Sequence, residues 1–254
     1  MAVRTNTLKT TREKLRALLE KEDLPSREGK LSAWALILEG RKNLQGLSSF
    51  RNGEFEIQDE ASQMAAMASE ARAGDLVVDA CAGAGGKSLA MAAMMENKGR
   101  IVAADADARK LPELEKRAKR SGVSILSTKW VALDDPAPLA ELKGQADVVF
   151  IDAPCSAFGT FRRKPWMKWS STITQTATFA KRQRGLLERY APLVKSPGRL
   201  VYATCTIHPE ENEQVVEAFL RDHVEFQPAA PARLLRPDTD GTDGFFIAGF
   251  KRNS

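Results

Sequence analysis

A glycine-rich turn between a short apolar strand and an alanine-rich helix is the feature that most restricts how this chain can fold. Residues 76–93 read LVVDACAGAGGKSLAMAA, in which Val77 and Val78 predict a strand and the apolar residues after Lys87 predict a helix. Glycine lets the backbone approach a bound group, and the first N–H groups of a helix offer donors and a partial positive charge. Ligands of open α/β sheets bind at the carboxyl ends of strands, so this loop is the first candidate site.

The spacing within the loop narrows the class of ligand. A phosphate-binding P-loop needs a glycine five residues before its Gly-Lys-Ser, and this chain has Cys81 there. The remaining candidate ligands are a dinucleotide and a nucleoside such as S-adenosylmethionine. The next apolar run ends in Asp105, about twenty residues on, where it could bind the two hydroxyls of a ribose. A tight turn followed by a solvated Asp105 is the alternative interpretation.

Length and composition are those of an ordinary globular protein. The 254 residues, 43% of them hydrophobic, are enough for one α/β domain and a small lobe. No long apolar run suggests a membrane span or a signal peptide, so a soluble, cytoplasmic protein is expected. The three cysteines, Cys81, Cys155 and Cys205, are too far apart for a zinc site or a disulfide framework, and no metal is expected.

The chain is predicted to be an α/β protein in two parts. Residues 1–57 form a small N-terminal α/β lobe, and residues 58–254 form the catalytic domain. In the second part strands (100–105, 124–131, 146–152, 199–205 and 244–251) alternate with helices (59–72, 109–120, 172–195 and 209–222), which predicts a parallel sheet covered on both faces. A helix is also predicted over 10–23, with Thr10 as its N-cap.

The formal charge of +5 is concentrated in a few segments, which suggests a polyanionic partner. Segment 109–120 is also typical of a solvated helix face. In residues 162–169 the cations alternate with Trp166 and Trp169, and such a mixture can stack on bases and contact phosphates in RNA.

All three cysteines lie at or just after the end of a predicted strand, near the glycine loop. Cys155 lies in DAPCS and Cys205 in YATCT. A buried cysteine is usually only a small apolar side chain, which is the interpretation for Cys81. Two thiols at the mouth of one cofactor site instead indicate nucleophilic chemistry, because a thiolate is a strong nucleophile near neutral pH.

These motifs resemble the Sun/Fmu-type (nucleolar-antigen-like) RNA cytosine-5 methyltransferases. The matching stretches are QDEASQ at 58–63, DACAGAGGK at 79–87, DAPCSAFGTFRRKP at 152–165, YATCTIHPEENE at 202–213 and DGFFIA at 243–248. The resemblance implies a Rossmann-like S-adenosylmethionine-dependent methyltransferase fold, with S-adenosylmethionine as cofactor. It also implies that the methyl acceptor is a cytosine in RNA, with ribosomal RNA favoured over tRNA. The expected partner is a ribosomal subunit or its precursor, and the protein itself is expected to be a monomer.

The chemistry of cytosine explains why a thiol is needed. Carbon 5 is a poor nucleophile until a thiolate adds to carbon 6, and a base must later remove the carbon 5 proton. By resemblance Cys205 is the nucleophile, Cys155 assists release and Asp152 holds the cytosine edge; spacing alone does not assign these roles to the two thiols. The resemblance also assigns residues to cofactor and RNA binding. For the cofactor they are Cys81, Ala82, Gly83, Ala84, Gly85, Gly86, Lys87, Asp105, Asp134 and Asp152; for RNA they are Arg162, Arg163 and Lys168.

Two positions depart from the family pattern, and the second of them keeps another function open. Gly83-Ala84 replaces the usual Ala-Pro, a change that adds freedom without bulk, and Trp166 replaces the usual aspartate beside the RNA-facing arginines. The main alternative is a catalytically weak or inactive methyltransferase-like protein for RNA binding or ribosome assembly. A DNA cytosine methyltransferase and a nicotinamide dehydrogenase are weaker alternatives. His208 and residues 210–213 are expected to fix the turn and helix after Cys205.

Overall fold

A computed structural model describes residues 1–40, 42–132, 137–166, 169 and 175–253 of the chain. Two of the predicted site residues, Asp134 and Lys168, lie outside these described residues. The described residues form two sheets, each with its own set of helices.

The first sheet is built from the N-terminal residues. The elements are β1 (Ala2–Thr5), α1 (Arg12–Lys21), β2 (Ser26–Glu28), β3 (Ala35–Leu38), α2 (Ser48–Arg51) and β4 (Phe55–Ile57). The sheet is antiparallel, with the strand order β2-β3-β1-β4, and α1 covers its apolar face. Helix α1 buries Leu15 and Leu19 against Val3, Leu36 and Phe55, as the predicted apolar periodicity requires.

The second sheet has eight strands, five of them parallel. The strands are β5 (Leu76–Asp79), β6 (Arg100–Asp105), β7 (Leu126–Trp130), β8 (Ala146–Asp152), β9 (Val194–Thr204), β10 (Phe226–Pro228), β11 (Arg233–Leu235) and β12 (Phe245–Arg252). Their order in the sheet is β10-β12-β9-β8-β5-β6-β7, and β11 pairs with β12. Strands β5 to β9 are parallel and β12 runs antiparallel to β9.

Helices cover both faces of this sheet. They are α3 (Glu60–Met67), α4 (Gly86–Met94), α5 (Leu111–Ser121), α6 (Thr176–Tyr190) and α7 (Glu213–Asp222). Val78 and Val149 pack with α6 and α7 on one face, and Val77 and Val148 pack with α3 and α4 on the other. The predicted α/β architecture with a parallel sheet covered on both faces is confirmed.

Several predicted boundaries are wrong. Thr11, not Thr10, caps α1 by accepting a hydrogen bond from the N–H of Lys14. The helix predicted over 59–72 ends at Met67, and the one predicted to reach residue 195 ends at Tyr190. The second helix stops early because Val194 pairs with Ala146 in the sheet, a contact that local periodicity does not reveal.

Buried ion pairs join the N-terminal lobe to the larger sheet. The Glu56 carboxylate on β4 accepts hydrogen bonds from Arg117, at 2.8 Å, and from Arg120 and Ser121 of α5. The wholly buried Arg4 donates to Gln58 at 2.6 Å. The contacts of Glu56 fix the lobe against α5. Within the described ranges, the helices lack the combination of length and apolar character that crossing a membrane requires.

Candidate active site

Acidic and thiol side chains meet at the carboxyl edge of the parallel strands. Strand β5 ends at Asp79, β6 at Asp105 and β8 at Asp152, while Cys205 directly follows β9. Cys155 follows β8 by three residues. Neighbouring parallel strands bring their carboxyl ends to one edge, so residues distant in sequence share one site.

The glycine loop between β5 and α4 packs closely against the side chain of Leu114 in α5. Gly85 has a φ of 85° and caps α4, and a Cβ added there would lie 2.6 Å from the Cγ of Leu114. The N–H of Gly83 donates to one oxygen of Asp105 at 2.7 Å, and the N–H of Asp107 donates to the other at 2.8 Å. Backbone donors therefore hold the Asp105 carboxylate in place.

A cavity of about 690 Å³ opens beside this loop. Its wall combines apolar side chains with the Asp105 carboxylate, a mixture that suits a nucleoside with an amino-acid tail. The lining includes Cys81, Gly83, Asp105, Lys110, Val131, Asp152, Pro154, Leu186 and Tyr190. Sequence reasoning missed Lys110, in the turn after β6, and it also missed Leu186 and Tyr190. For the last two the reason is that nothing local indicates that α6, far along the chain, reaches the loop.

The structure separates the predicted cofactor residues into groups. Cys81, Gly83, Asp105 and Asp152 line this cavity. The others follow the turn itself: Ala82 is buried, the carbonyl of Ala84 accepts from Arg117, Gly85 is the cap, and Gly86 and Lys87 border a second cavity.

The second cavity is a cleft of about 900 Å³ between the N-terminal lobe and the sheet edge. Ile37 and Ile57 form part of its wall on the lobe side, and Arg162 and Arg163 lie on the opposite side. Among the described residues that line the two cavities, Asp152 and Cys205 are common to both. The two spaces therefore meet at one carboxylate and one thiol.

The thiols of Cys155 and Cys205 form a hydrogen-bonded pair. Their Sγ atoms are 3.3 Å apart. The hydrogen bond from Cys155 lowers the pKa of Cys205, and the nearby Lys87 ammonium acts in the same direction. The same hydrogen bond, together with burial, raises the pKa of Cys155 well above that of a free thiol. Cys205 is therefore the member of the pair that more readily forms a thiolate.

Cys81 differs from this pair. Burial is the main cause that raises the pKa of its thiol, and the carboxylates of Asp79, Asp152 and Asp105 raise it further. A thiol held protonated in this way is a poor nucleophile. This agrees with the interpretation of Cys81 as a small, unreactive side chain.

Lys87 is directed at Asp152. Its ammonium nitrogen lies 2.5 Å from a carboxylate oxygen of Asp152 and 5.0 Å from the centroid of the Phe245 ring. This ion pair keeps the carboxylate beside Cys205, at the junction of the two cavities. Among the described residues, no group of three or more His, Cys, Asp or Glu side chains could hold a metal ion.

The two predicted RNA-binding arginines in the described part of the chain border the cleft, and both are paired with carboxylates. Arg163 donates to Asp243 at 2.6 Å, and Arg162 donates to Asp59 at 3.2 Å and to the carbonyl of Gly241 at 2.6 Å. Trp166 is 62% exposed. The structure thus fixes the arginine side chains through acidic partners that the sequence motif did not reveal.

The family model described as 16S rRNA methyltransferase RsmB/F matches residues 66–251. The chain belongs to this family. Its RsmB/F membership confirms the predicted family resemblance and the predicted S-adenosylmethionine-dependent methyltransferase fold. S-adenosylmethionine, the predicted cofactor, is the methyl donor of this family.

Relatives of this RsmB/F chain are similar along nearly its whole length. The "Probable ribosomal RNA small subunit methyltransferase B" of Bacillus subtilis is 35% identical, over 98% of this chain and 59% of its own length. The crystal structure of PH0851 matches this fold with a TM-score of 0.94, and the two sequences are 32% identical. The match covers 99% of this chain and 59% of the PH0851 chain. A methyltransferase homologue from Pyrococcus horikoshii is 28% identical with a TM-score of 0.85, covering 99% and 86%. The chain thus spans about three fifths of the curated relative.

Proposed function

We propose that this chain is an S-adenosylmethionine-dependent methyltransferase that forms 5-methylcytosine in RNA through a covalent adduct between Cys205 and cytosine. The observation that carries this proposal is that Asp152 and Cys205 line both cavities. A cofactor in the smaller cavity and a base in the cleft would meet at these two side chains. The lowered pKa of the Cys205 thiol supports its role as nucleophile.

The smaller cavity fits the proposed cofactor. Asp105 is held by two backbone N–H groups and would accept hydrogen bonds from the ribose hydroxyls, while Val131 and Leu186 offer apolar contact to the adenine ring. A Cβ added to Gly83 would meet nothing within 4 Å, so the loop leaves open space beside it. When bound, S-adenosylmethionine supplies the methyl group.

The side chains at the junction have separate tasks in this reaction. The Cys205 thiolate adds to carbon 6 of the cytosine, while Asp152, held by Lys87, binds the polar edge of the base. Once carbon 5 has been methylated, the Cys155 thiolate, whose sulfur lies 3.3 Å from the Cys205 sulfur, accepts the carbon 5 proton. The electrons of that C–H bond re-form the double bond between carbons 5 and 6, the bond from carbon 6 to sulfur breaks, and Cys205 leaves as a thiolate.

The proposed substrate is ribosomal RNA of the small subunit. The family description names 16S rRNA and the Bacillus relative is named for small-subunit RNA, which favours ribosomal RNA over tRNA. Arg162, Arg163 and Lys164 border the cleft and would contact phosphates. The proposal includes a monomer that acts in the cytoplasm on a ribosomal subunit or its precursor.

The proposed division of labour assigns residues 1–57 to an RNA-contacting lobe and residues 58–254 to the catalytic domain. The N-terminal sheet ends with Ile57 of β4, and the strands of the larger sheet begin at Leu76. Ala2 and Ile37 of the N-terminal sheet contribute to the cleft wall, which supports a role for the lobe in RNA contact.

The test is methyl transfer followed by a covalent trap. The purified protein, small-subunit rRNA and tritiated S-adenosylmethionine should yield labelled RNA that contains 5-methylcytosine, and Cys205→Ala should abolish the transfer. Cys155→Ala should accumulate protein covalently attached to RNA on a denaturing gel. If wild-type protein binds RNA and cofactor but transfers no methyl group, the inactive RNA-binding alternative is correct. If the protein methylates tRNA but not small-subunit rRNA, tRNA is the substrate.

A further inference from the structure

A buried polar cluster lies directly behind the two thiols. Glu211, in the turn before α7, is 0% exposed and sits among the residues that flank Cys155 and Cys205. Its carboxylate accepts hydrogen bonds from the N–H of Ser156 at 2.9 Å and from the Ser156 hydroxyl at 2.5 Å. A third hydrogen bond comes from the Gln183 amide of α6 at 2.9 Å. The described contacts of Glu211 include no cation, although buried carboxylates are usually paired.

The cluster connects the residue after one cysteine to the residue after the other. The Ser156 hydroxyl lies 2.8 Å from the hydroxyl of Thr206. Ser156 follows Cys155 directly and Thr206 follows Cys205 directly. A contact between these two hydroxyls therefore limits how far the backbones that carry the thiols can separate.

Further hydrogen bonds hold each cysteine on its other side. Gln183, besides binding Glu211, donates to the carbonyl of Pro154 at 3.0 Å. Asn212, the neighbour of Glu211, bonds the Thr204 hydroxyl at 2.6 Å and the Thr206 carbonyl at 3.1 Å. The residues on both sides of each cysteine are thus tied to α6 or to the turn before α7.

We propose that Glu211 is a positioning residue that sets the distance between the Cys155 and Cys205 thiols through Ser156 and Thr206. Glu211 touches neither cavity wall, so it acts through these neighbours rather than on a bound group. A carboxylate that accepts three donors fixes the loop after β8, and the pair of hydroxyls transmits this position to the end of β9. The inference rests on the proposed function only for its consequence in catalysis; the geometry is testable without methyl transfer.

The test measures the distance between the thiols through their chemistry. Diamide oxidises two adjacent thiols to a disulfide and takes up both thiol hydrogens, and mass spectrometry of peptides identifies the Cys155–Cys205 product. Glu211→Asp keeps the charge but shortens the side chain by one methylene, so it cannot reach all three donors. It should slow this oxidation about tenfold. Glu210→Asp, the same change at the adjacent residue, should leave the rate within about twofold of wild type.

Circular dichroism and S-adenosylmethionine binding show whether each variant is folded, so that lost stability is not mistaken for lost positioning. Thr206→Val keeps the side-chain shape but removes the hydroxyl that contacts Ser156, and it should also slow the oxidation. A wild-type oxidation rate in folded Glu211→Asp would overturn the proposal. If Glu211→Asp does not fold, the Thr206→Val rate decides in the same way. If wild-type protein transfers no methyl group while Glu211→Asp still slows the oxidation, the proposed function is wrong and this geometry stands.

Discussion

The Sγ atoms of Cys155 and Cys205 lie 3.3 Å apart although 50 positions separate the two residues in the chain. Strands β8 and β9 are parallel neighbours, so the loop after the first and the end of the second meet at one edge of the sheet. The contact makes the acidity of either thiol depend on the other. Cys205 gains acidity and Cys155 loses it.

Removal of Cys155 should therefore make Cys205 less acidic. In Cys155→Ala the hydrogen bond that lowers the pKa of Cys205 is absent, and burial then acts to raise that pKa. The rate of Cys205 alkylation by iodoacetamide, followed by mass spectrometry from about pH 6 to about pH 10, should rise at a higher pH than in wild type. An unchanged or lower midpoint would show that Cys155 does not stabilise the Cys205 thiolate. Because of this shift, the covalent trap with Cys155→Ala is best performed at a higher pH than the wild-type assay.

Lys87 should act on the reaction more than on cofactor affinity. The sequence motif predicts that Lys87 binds the cofactor. In the structure, however, the Lys87 ammonium group binds Asp152 at 2.5 Å and the residue borders the cleft. Lys87→Met removes the partner that orients Asp152 and a cation that favours the Cys205 thiolate. We expect kcat for methyl transfer to fall at least about tenfold, with the Kd for S-adenosylmethionine within about threefold of wild type.

Lys110→Met is the matched control for Lys87. The Lys110 ammonium lies 3.5 Å from Asp105 and borders the cofactor cavity. Its removal should weaken S-adenosylmethionine binding, measured by calorimetry, more than it lowers kcat. If Lys87→Met weakens S-adenosylmethionine binding as much as Lys110→Met does, Lys87 is a cofactor-binding residue, as the sequence motif predicts.

The parts of the fold that could be predicted are those determined by local pattern. Strand β8 has the predicted bounds, Ala146–Asp152, because a continuous apolar run between polar neighbours identifies a buried strand. The predicted helix over 172–195 extends too far because residues 191–194 fit a helical pattern as well. Only the pairing of Val194 with Ala146 assigns the end of this segment to the sheet.

The site was predictable to a similar extent. Motifs placed Cys155, Cys205, Asp152 and Asp105 at one edge, where the structure has them. Asp152, the partner of Lys87, lies 65 positions away from it in the chain. Glu211 accepts hydrogen bonds from Ser156, 55 positions away, and from Gln183 of α6. No short-range pattern in the sequence encodes such contacts. Sequence reasoning therefore placed the candidate reactive groups together but did not find the residues that hold them.

Glu56 should be essential for attaching the N-terminal lobe. Its side chain is 2% exposed and neutralises Arg117 and Arg120, which are 16% and 20% exposed. Burial acts to raise the pKa of Glu56, but the two arginines outweigh it and lower the pKa. Glu56→Gln leaves both guanidinium groups without a counter-charge and should reduce the free energy of unfolding by roughly 3–5 kcal/mol.

Urea denaturation near neutral pH measures this loss. Glu20→Gln on the exposed face of α1 is the control, with an expected change within about 0.5 kcal/mol. A loss of less than about 1 kcal/mol in Glu56→Gln would mean that other contacts hold the lobe.

Asp79 should make the stability of the protein depend on pH. The carboxyl group at the end of β5 is wholly buried, and this burial raises its pKa to about 7 from 3.8; the Ser88 hydroxyl is its hydrogen-bond donor at 2.6 Å. In the unfolded chain the group ionises near its ordinary pKa, so folding favours the protonated form. The contribution of Asp79 to stability should therefore fall as the pH rises from about 4 to about 7 and stay level above that.

Asp79→Asn tests this expectation because an amide mimics the protonated carboxyl group at every pH. The free energy of unfolding of the variant, relative to wild type, should increase across this pH range by up to ~4 kcal/mol, the equivalent of the shift in pKa. Urea denaturation of both proteins at several pH values gives this difference directly. A difference that does not vary with pH would mean that Asp79 has the same pKa in the folded and unfolded states. A difference that decreases with pH would mean that the folded protein stabilises the ionised carboxylate, for instance through Lys87, which acts to lower the pKa of Asp79.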